Sequence, residues 1–314
     1  MSLTSFWVRH TFGKGDRERD KDQTTPQGVV RRDNIQYGES KKWNVLDVYL
    51  PDNGQGISQR KSQGNSQTKL QEQIPETYPV IVSVHGGAWV YGDKEVYQHY
   101  CMSLAKQGFA VVNFTYRLAP EYRFPAALED TNQVMEWIFA NQQEFQLDTE
   151  HIFMVGDSAG AHILGLYTSI CTNGEYAAQY EFCVPRKFVP KAVALNCGAY
   201  DVAQMMKSWP QSRRLIRDLT GRKKNEEVIE KLLVQKHMTD SFPPVFLMTS
   251  TGDFLREQAP VMEKALQEHG IQYCFRLYGD EQNQLPHVFH CDMRKPEAAV
   301  CNQDECDFFR GFLN

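Results

Sequence analysis

"FMVGDSAGAHILGLY", residues 153–167, sets a serine between two glycines, after one apolar run and before another. A lone Gly-x-Ser-x-Gly is weak evidence, because a turn of small residues with Ser158 as helix N-cap reads the same way. The apolar residues 152–155 predict a strand, and Ala159, Gly160 and Ala161 open a predicted helix. A sharp strand-to-helix turn would strain the backbone at Ser158 and expose its oxygen, with flanking glycines avoiding clashes with neighbouring strands. The helix N-terminus would also aim unpaired N–H groups at charge developing beside the serine. The choice between the readings rests on whether the chain also supplies an oxyanion site, an acid and a base.

The surrounding pattern is regular. "YPVIVSV" (78–84), "FAVVNFTY" (109–116), "HIFMVG" (151–156), "KAVALNC" (191–197) and "PVFLMTS" (244–250) are short apolar runs rich in β-branched residues. Such runs suit central parallel strands covered on both faces. "IQYCFRLYG" (271–279) predicts a last strand, and 29–38 with 43–50 an early strand pair that Pro51 ends. Helical spacing fills 95–107, 126–140, 159–171, 255–268 and 297–312. The expected fold is α/β: a mostly parallel, eight-stranded sheet with helices on both faces. Crossover connections then gather the loops leaving the strand carboxyl ends at one edge. One domain over 1–314 is expected, interrupted by an exposed Gln-rich excursion at 52–77, too poor in apolar groups to offset its ordering entropy. A helical lid insertion is expected at about 200–241.

Bulk properties narrow the classes. With 41% hydrophobic residues and a net charge of -5, the 314-residue chain supports a substantial core and shows no general affinity for nucleic acid. No run reaches the roughly 20 apolar residues of a membrane span, and the start lacks a signal-like segment. A cytoplasmic protein with no membrane association is expected, monomeric or homodimeric. Its eight cysteines read as free thiols, and Cys291, Cys301 and Cys306 match no compact zinc spacing, so neither metal nor cofactor is expected.

"SVHGGAWVYGD" (83–93) follows an apolar strand. There the amides of Gly86 and Gly87, with that of Ala159, are candidates to receive an oxyanion. His85, at the strand end, reads as a structural residue of that loop. A serine nucleophile needs a base, and the base an orienter. Of nine histidines, His287 and His290 lie on the loop "GDEQNQLPHVFHC" that leaves the last strand towards the serine, and spacing does not choose between them. Asp253 lies just beyond the preceding strand; Asp280 and Glu281 are rivals on the histidine loop itself. The order Ser158, Asp253, His287 is that of an α/β-hydrolase. Trp89, Tyr91, Asp157, Tyr200, Met205, Met206 and Trp209 are candidates to line the substrate pocket, which the lid is expected to roof.

At these residues the chain resembles the hormonesensitive-lipase-like serine esterases of the α/β-hydrolase fold, over roughly residues 40–312. The resemblance rests on His85-Gly86-Gly87, "YRLAPE" (116–121), "FPAALED" (124–130), Gly156-Asp157-Ser158-Ala159-Gly160, "STGDFL" (250–255) and "HVF" (287–289). It implies serine-dependent hydrolysis of small carboxylic esters without a cofactor, with His287 rather than His290 as base. It also implies that Arg117, Glu121 and Asp130 brace the architecture. Ala88 and Trp89 depart from the third glycine of many lipase-like members. That loop also resembles the kynurenine formamidases, which makes formamide or activated-amide hydrolysis the alternative. A noncatalytic binding module on the same fold is a further alternative.

Overall fold

The computed structural model describes residues 1–52, 77–221 and 226–313. All but the two end residues of the expected excursion at 52–77, and residues 222–225 of the expected lid, lie outside the described residues.

Eight strands form one sheet: β1 (Val29–Gln36), β2 (Val45–Pro51), β3 (Tyr78–Val84), β4 (Ala110–Phe114), β5 (Leu147–Asp157), β6 (Val193–Asn196), β7 (Val245–Ser250) and β8 (Tyr273–Tyr278). Their order is β1-β2-β4-β3-β5-β6-β7-β8. β1 pairs antiparallel to β2, and β2 to β4; every later pairing is parallel. The early strand pair thus forms the antiparallel edge of a parallel sheet. β5 starts at Leu147, earlier than its apolar run, because residues 147 and 148 pair with Tyr78 and Pro79.

The period of two divides the strand side chains between two cores. Val80, Val82, Val112, Met154, Leu195 and Leu247 face one side. That side is covered by α3 (Ala126–Asn141), α4 (Ala159–Thr172) and α10 (Ala259–Glu268), through residues such as Val134, Leu166 and Met262. Ile81, Val111, Phe153, Ala194 and Phe246 face the other side, under α2 (Lys94–Ala105) and α11 (Pro296–Arg310).

Two regions differ from the sequence expectation. Residues 3–20, which carry no clear apolar stripe, form helix α1 (Leu3–Asp20), capped by Ser2. Polar contacts hold it: Ser5 Oγ donates to Asp218 at 2.5 Å, and Arg9 donates to the carbonyls of Val90 and Ala119 at 2.7 and 2.9 Å. Arg9 also pairs with Glu121. The region of the expected lid contains four helices among the described residues. α5 (Gly174–Ala177) precedes them, and they are α6 (Val202–Ser208), α7 (Pro210–Thr220), α8 (Glu226–Lys231) and α9 (Val234–His237). α7 packs against α1, and α9 against α4. No helix among the described residues is long and apolar enough to cross a membrane. The eight cysteines are free; Cys183 is exposed, and Cys101, Cys197, Cys291, Cys301 and Cys306 are buried.

Candidate active site

Ser158 sits between β5 and α4 at φ 54 and ψ -118, a left-handed conformation that a residue with a Cβ holds only at a cost of about 1–3 kcal/mol. Its amide donates to the Asn196 carbonyl at 2.9 Å, and its own carbonyl accepts from His162 and Ala199. The neighbouring glycines are required by space. A Cβ on Gly156 would lie 2.7 Å from the Gly160 carbonyl oxygen, and one on Gly160 only 2.0 Å from that of Val84. Helix α4 therefore starts almost in contact with the end of β3, and Ser158 is left half-buried at the cleft.

The loop after β3 runs beside it. Gly87 has φ +120, and a Cβ there would lie 2.0 Å from the Tyr91 carbonyl oxygen. Gly86 and Gly87 both border the cleft, while Ala159 lies buried at the start of α4. His85 is buried, with Nδ1 2.8 Å from the Gly86 carbonyl and its ring stacked on Tyr116 at 4.0 Å. Burial pushes its pKa down to about 4. A carbonyl only accepts, so Nδ1 carries the proton and the ring serves the loop.

His287 borders the same cleft, and its Nδ1 lies 2.6 Å from Asp253 Oδ1. The two loops carrying them are joined: Gly252 N–H donates to the Leu285 carbonyl at 2.9 Å, and Ser250 Oγ to the same carbonyl at 2.9 Å. Asp253 Oδ2 accepts from Thr249 Oγ1 at 2.9 Å, and Oδ1 from the Leu255 amide at 2.8 Å. Burial alone would raise the Asp253 carboxyl, but the hydrogen bond and charge of His287 and those two donors outweigh it and hold its pKa below the ordinary value. It is thus kept as the anion that orients an imidazole N–H. Asp280 is used in its own turn, where Oδ1 accepts from the amides of Gln282 and Asn283, and Glu281 is exposed. His290 is fully buried, and burial pushes its pKa down to about 3.

The cleft at Ser158 encloses about 300 Å³. Of the pocket residues expected from sequence, Tyr91 and Asp157 border it. Asp157 is buried at its floor, where Oδ2 accepts from Tyr97 at 2.5 Å and burial lifts its pKa to about 7. The other five pocket candidates are corrected by the structure. Trp89 is buried with its Nε1 donating to His162 Nδ1 at 3.1 Å, and His162 Nε2 in turn meets the Leu232 carbonyl at 2.9 Å. Tyr200 is sealed in the core, its hydroxyl donating to Leu195. Met205 is buried, and Met206 and Trp209 pack against the same core. Among the described residues, the expected roof of mid-chain helices is not what borders Ser158. Helix α1 is, through Thr11, Phe12, Gly15, Asp16 and Arg19. Its Phe12 ring meets Tyr91 edge-on at 6.1 Å, and Tyr91 donates to Asp16 at 2.8 Å. Phe254, half-stacked on His287 with ring centroids 4.3 Å apart, completes the wall. Nothing in "TFGKGDRER" marks a cleft wall in sequence; Phe254 had the one available signal, adjacency to Asp253.

A strained serine at a strand-to-helix turn, bordering the same cleft as an Asp-supported histidine at the carboxyl edge of such a sheet, defines the α/β-hydrolase class. Residues 68–265 match the BD-FAE family, and the chain belongs to it. It is similar to esterase LipC of Mycobacterium tuberculosis, with 29% identity over 62% of this chain. The chain spans 44% of that protein's length. It is 26% identical to the versiconal hemiacetal acetate esterase of Dothistroma septosporum, over 71% of this chain and 70% of that one. In three dimensions it superposes on esterase B of Lactobacillus rhamnosis with a TM-score of 0.84, at 22% identity and covering 99% and 97% of the two chains. That likeness is one of fold.

Proposed function

We propose that the protein is a carboxylic ester hydrolase that works through a Ser158–His287–Asp253 triad and an acyl-enzyme. The observation that carries this reading is the 2.6 Å contact of His287 Nδ1 with Asp253 on the same cleft that Ser158 borders. The relatives named as esterases support it. His287 Nε2 takes the Ser158 proton as Oγ attacks the ester carbonyl, and Asp253 stabilises the imidazolium that forms. The amides of Gly86, Gly87 and Ala159 receive the oxyanion, and each such donor contributes about 3 kcal/mol to the transition state. His287 then protonates the leaving alcohol, and a water molecule repeats the sequence to release the acid. The substrates are small, short-acyl esters, because a cleft of about 300 Å³ is at the lower end of ligand pockets. Ser158→Ala tests the assignment: p-nitrophenyl acetate turnover is expected to fall to the background rate while the thermal melt stays that of the parent. A folded variant that retained more than a few per cent of turnover would overturn it.

A further inference from the structure

His290 takes no part in the relay above, yet it is fully buried three residues after His287. It lies in a 3-10 turn, Phe289–Cys291, entered through Val288 at φ 51. Its Nδ1 has no hydrogen-bond partner. Its Nε2 lies 3.5 Å from Cys291 Sγ. A carboxylate oxygen of Asp157 closes the group: the ligand atoms of Asp157, His290 and Cys291 all lie within 4.8 Å of one another, and all three residues are buried.

We propose that Asp157, His290 and Cys291 form a binding site for a thiophilic divalent cation of the zinc type, which includes the residue preceding Ser158. The donor set is the imidazole, thiolate and carboxylate that zinc prefers. Bonds of about 2.05 Å to nitrogen and 2.3 Å to sulfur, at a tetrahedral angle, place the two ligand atoms about 3.6 Å apart. The Nε2–Sγ separation already matches that edge. The ligand atoms lie within 4.8 Å of one another, so the Asp157 carboxylate, one oxygen of which accepts from Tyr97, has to draw in on the cation. Because Asp157 borders the cleft, a water molecule can enter as the fourth ligand.

Charge balance also fits. A thiolate and a carboxylate neutralise a dication, which a buried site requires. Arg19 faces the group from α1, but its guanidinium is already paired with Asp16 at 3.0 Å and Asp20 at 2.7 Å. Tyr100, from α2, meets His290 with the edge-on geometry of a ring contact, and its hydroxyl is committed to Glu305. On binding, the Cys291 S–H bond breaks heterolytically. The sulfur–metal bond forms from the electron pair left on sulfur, and the proton passes to solvent with no change of oxidation state.

Titration of the reduced full-length protein with cobalt(II) chloride, followed by absorption, tests the site without reference to turnover. We expect saturation at one cobalt per chain, a thiolate-to-cobalt charge-transfer band, and visible d–d bands of four-coordinate intensity. Cys291→Ser should abolish the charge-transfer band and weaken binding by more than the roughly 10–100-fold that loss of an outer-sphere partner costs. His290→Gln should weaken it likewise, and thermal melts establish that each variant is folded. Should Cys291→Ser fail to fold, His290→Gln decides. Cys197→Ser is the control, since Cys197 groups with Asp253 and His287; it should leave the spectrum unchanged. No saturable spectrum, a band that survives Cys291→Ser, or a band that disappears with Cys197 instead, would each overturn the proposal.

Discussion

At Asp253 one buried carboxylate is held by four contacts' worth of geometry: His287 and the Leu255 amide on Oδ1, Thr249 on Oδ2, and a backbone turn joining its loop to that of the histidine. That arrangement orients the ring of His287 with the Nδ1 proton on the carboxylate side, which leaves Nε2 for the proposed role of base. Asp253→Asn keeps the shape but presents an amide N–H that favours the opposite tautomer. A fall in kcat of about 10³–10⁴-fold is expected with little change in KM, as for the Asp-to-Asn change in a Ser-His-Asp triad. Steady-state kinetics on p-nitrophenyl acetate checks it. A loss smaller than tenfold would show that another group orients the ring.

Among the elements, α1 and α4 act on the cleft in different ways. α4 can reach β3 only because Gly160 has no side chain, so the turn that strains Ser158 is a consequence of backbone packing. α1 is held by side chains, chiefly Arg9 on the Val90–Glu121 region, and it contributes a wall with an opening in it. At Gly15 an added Cβ would meet no atom within 4 Å, although the residue borders the cleft. A leucine side chain at position 15 therefore meets no clash, and Gly15→Leu is expected to narrow the cleft that the residue borders. It is expected to lower kcat/KM for butyryl and longer esters by about 10–100-fold while sparing acetyl esters, the range that apolar fit contributes to discrimination. A series of p-nitrophenyl esters from two to sixteen acyl carbons measures this on the variant and the parent. In the parent, kcat/KM should be greatest between two and four carbons; a maximum at ten or more would show that the cleft does not limit the acyl chain.

Across the whole molecule, Glu305 joins one face of the sheet to both helices that cover it. From α11 it accepts from Tyr100 of α2 and from Asn196 of β6, each at 2.7 Å. Burial raises its pKa to about 7, against the two hydrogen bonds that lower it. The folded state therefore keeps a proton that the unfolded chain loses above its ordinary value of 4.5. Stability from this group is full below about pH 4.5, falls as pH rises, and levels off above about 7. At 1.36 kcal/mol per unit the loss is on the order of 3 kcal/mol. Asp157, raised by burial in the same way, adds a slope of the same sign. Glu305→Gln removes the Glu305 part, so urea unfolding at pH 5 and pH 8 should show the variant gaining on the parent between the two. An unchanged difference would show that Glu305 is ionised in the folded protein.

Much of this architecture was legible along the chain. Apolar runs of strand length, alternating with 3.6-residue periods, specify a covered parallel sheet because burial on two faces leaves no polar alternation to misread. Ser158, Gly86, Gly87 and Asp253 were legible as candidates because each follows closely on a strand end, and sheet topology carries strand ends to one edge; His287 lies further along the loop after β8, and the "HVF" resemblance chose it over His290. The pocket wall was not legible. Trp89, Tyr200, Met205, Met206 and Trp209 have the composition of a wall but pack into the core, whereas Phe12, Gly15, Asp16 and Arg19 come from a helix with no apolar stripe. What the sequence alone determined is the sheet, the helices that cover it and the strand-end residues, since these follow from local periodicity and connection rules. Which side chains face the cleft was decided only by tertiary structure, because α1 is seated by single long-range contacts such as Arg9 with Val90 and Ser5 with Asp218, which leave no periodic mark in the chain.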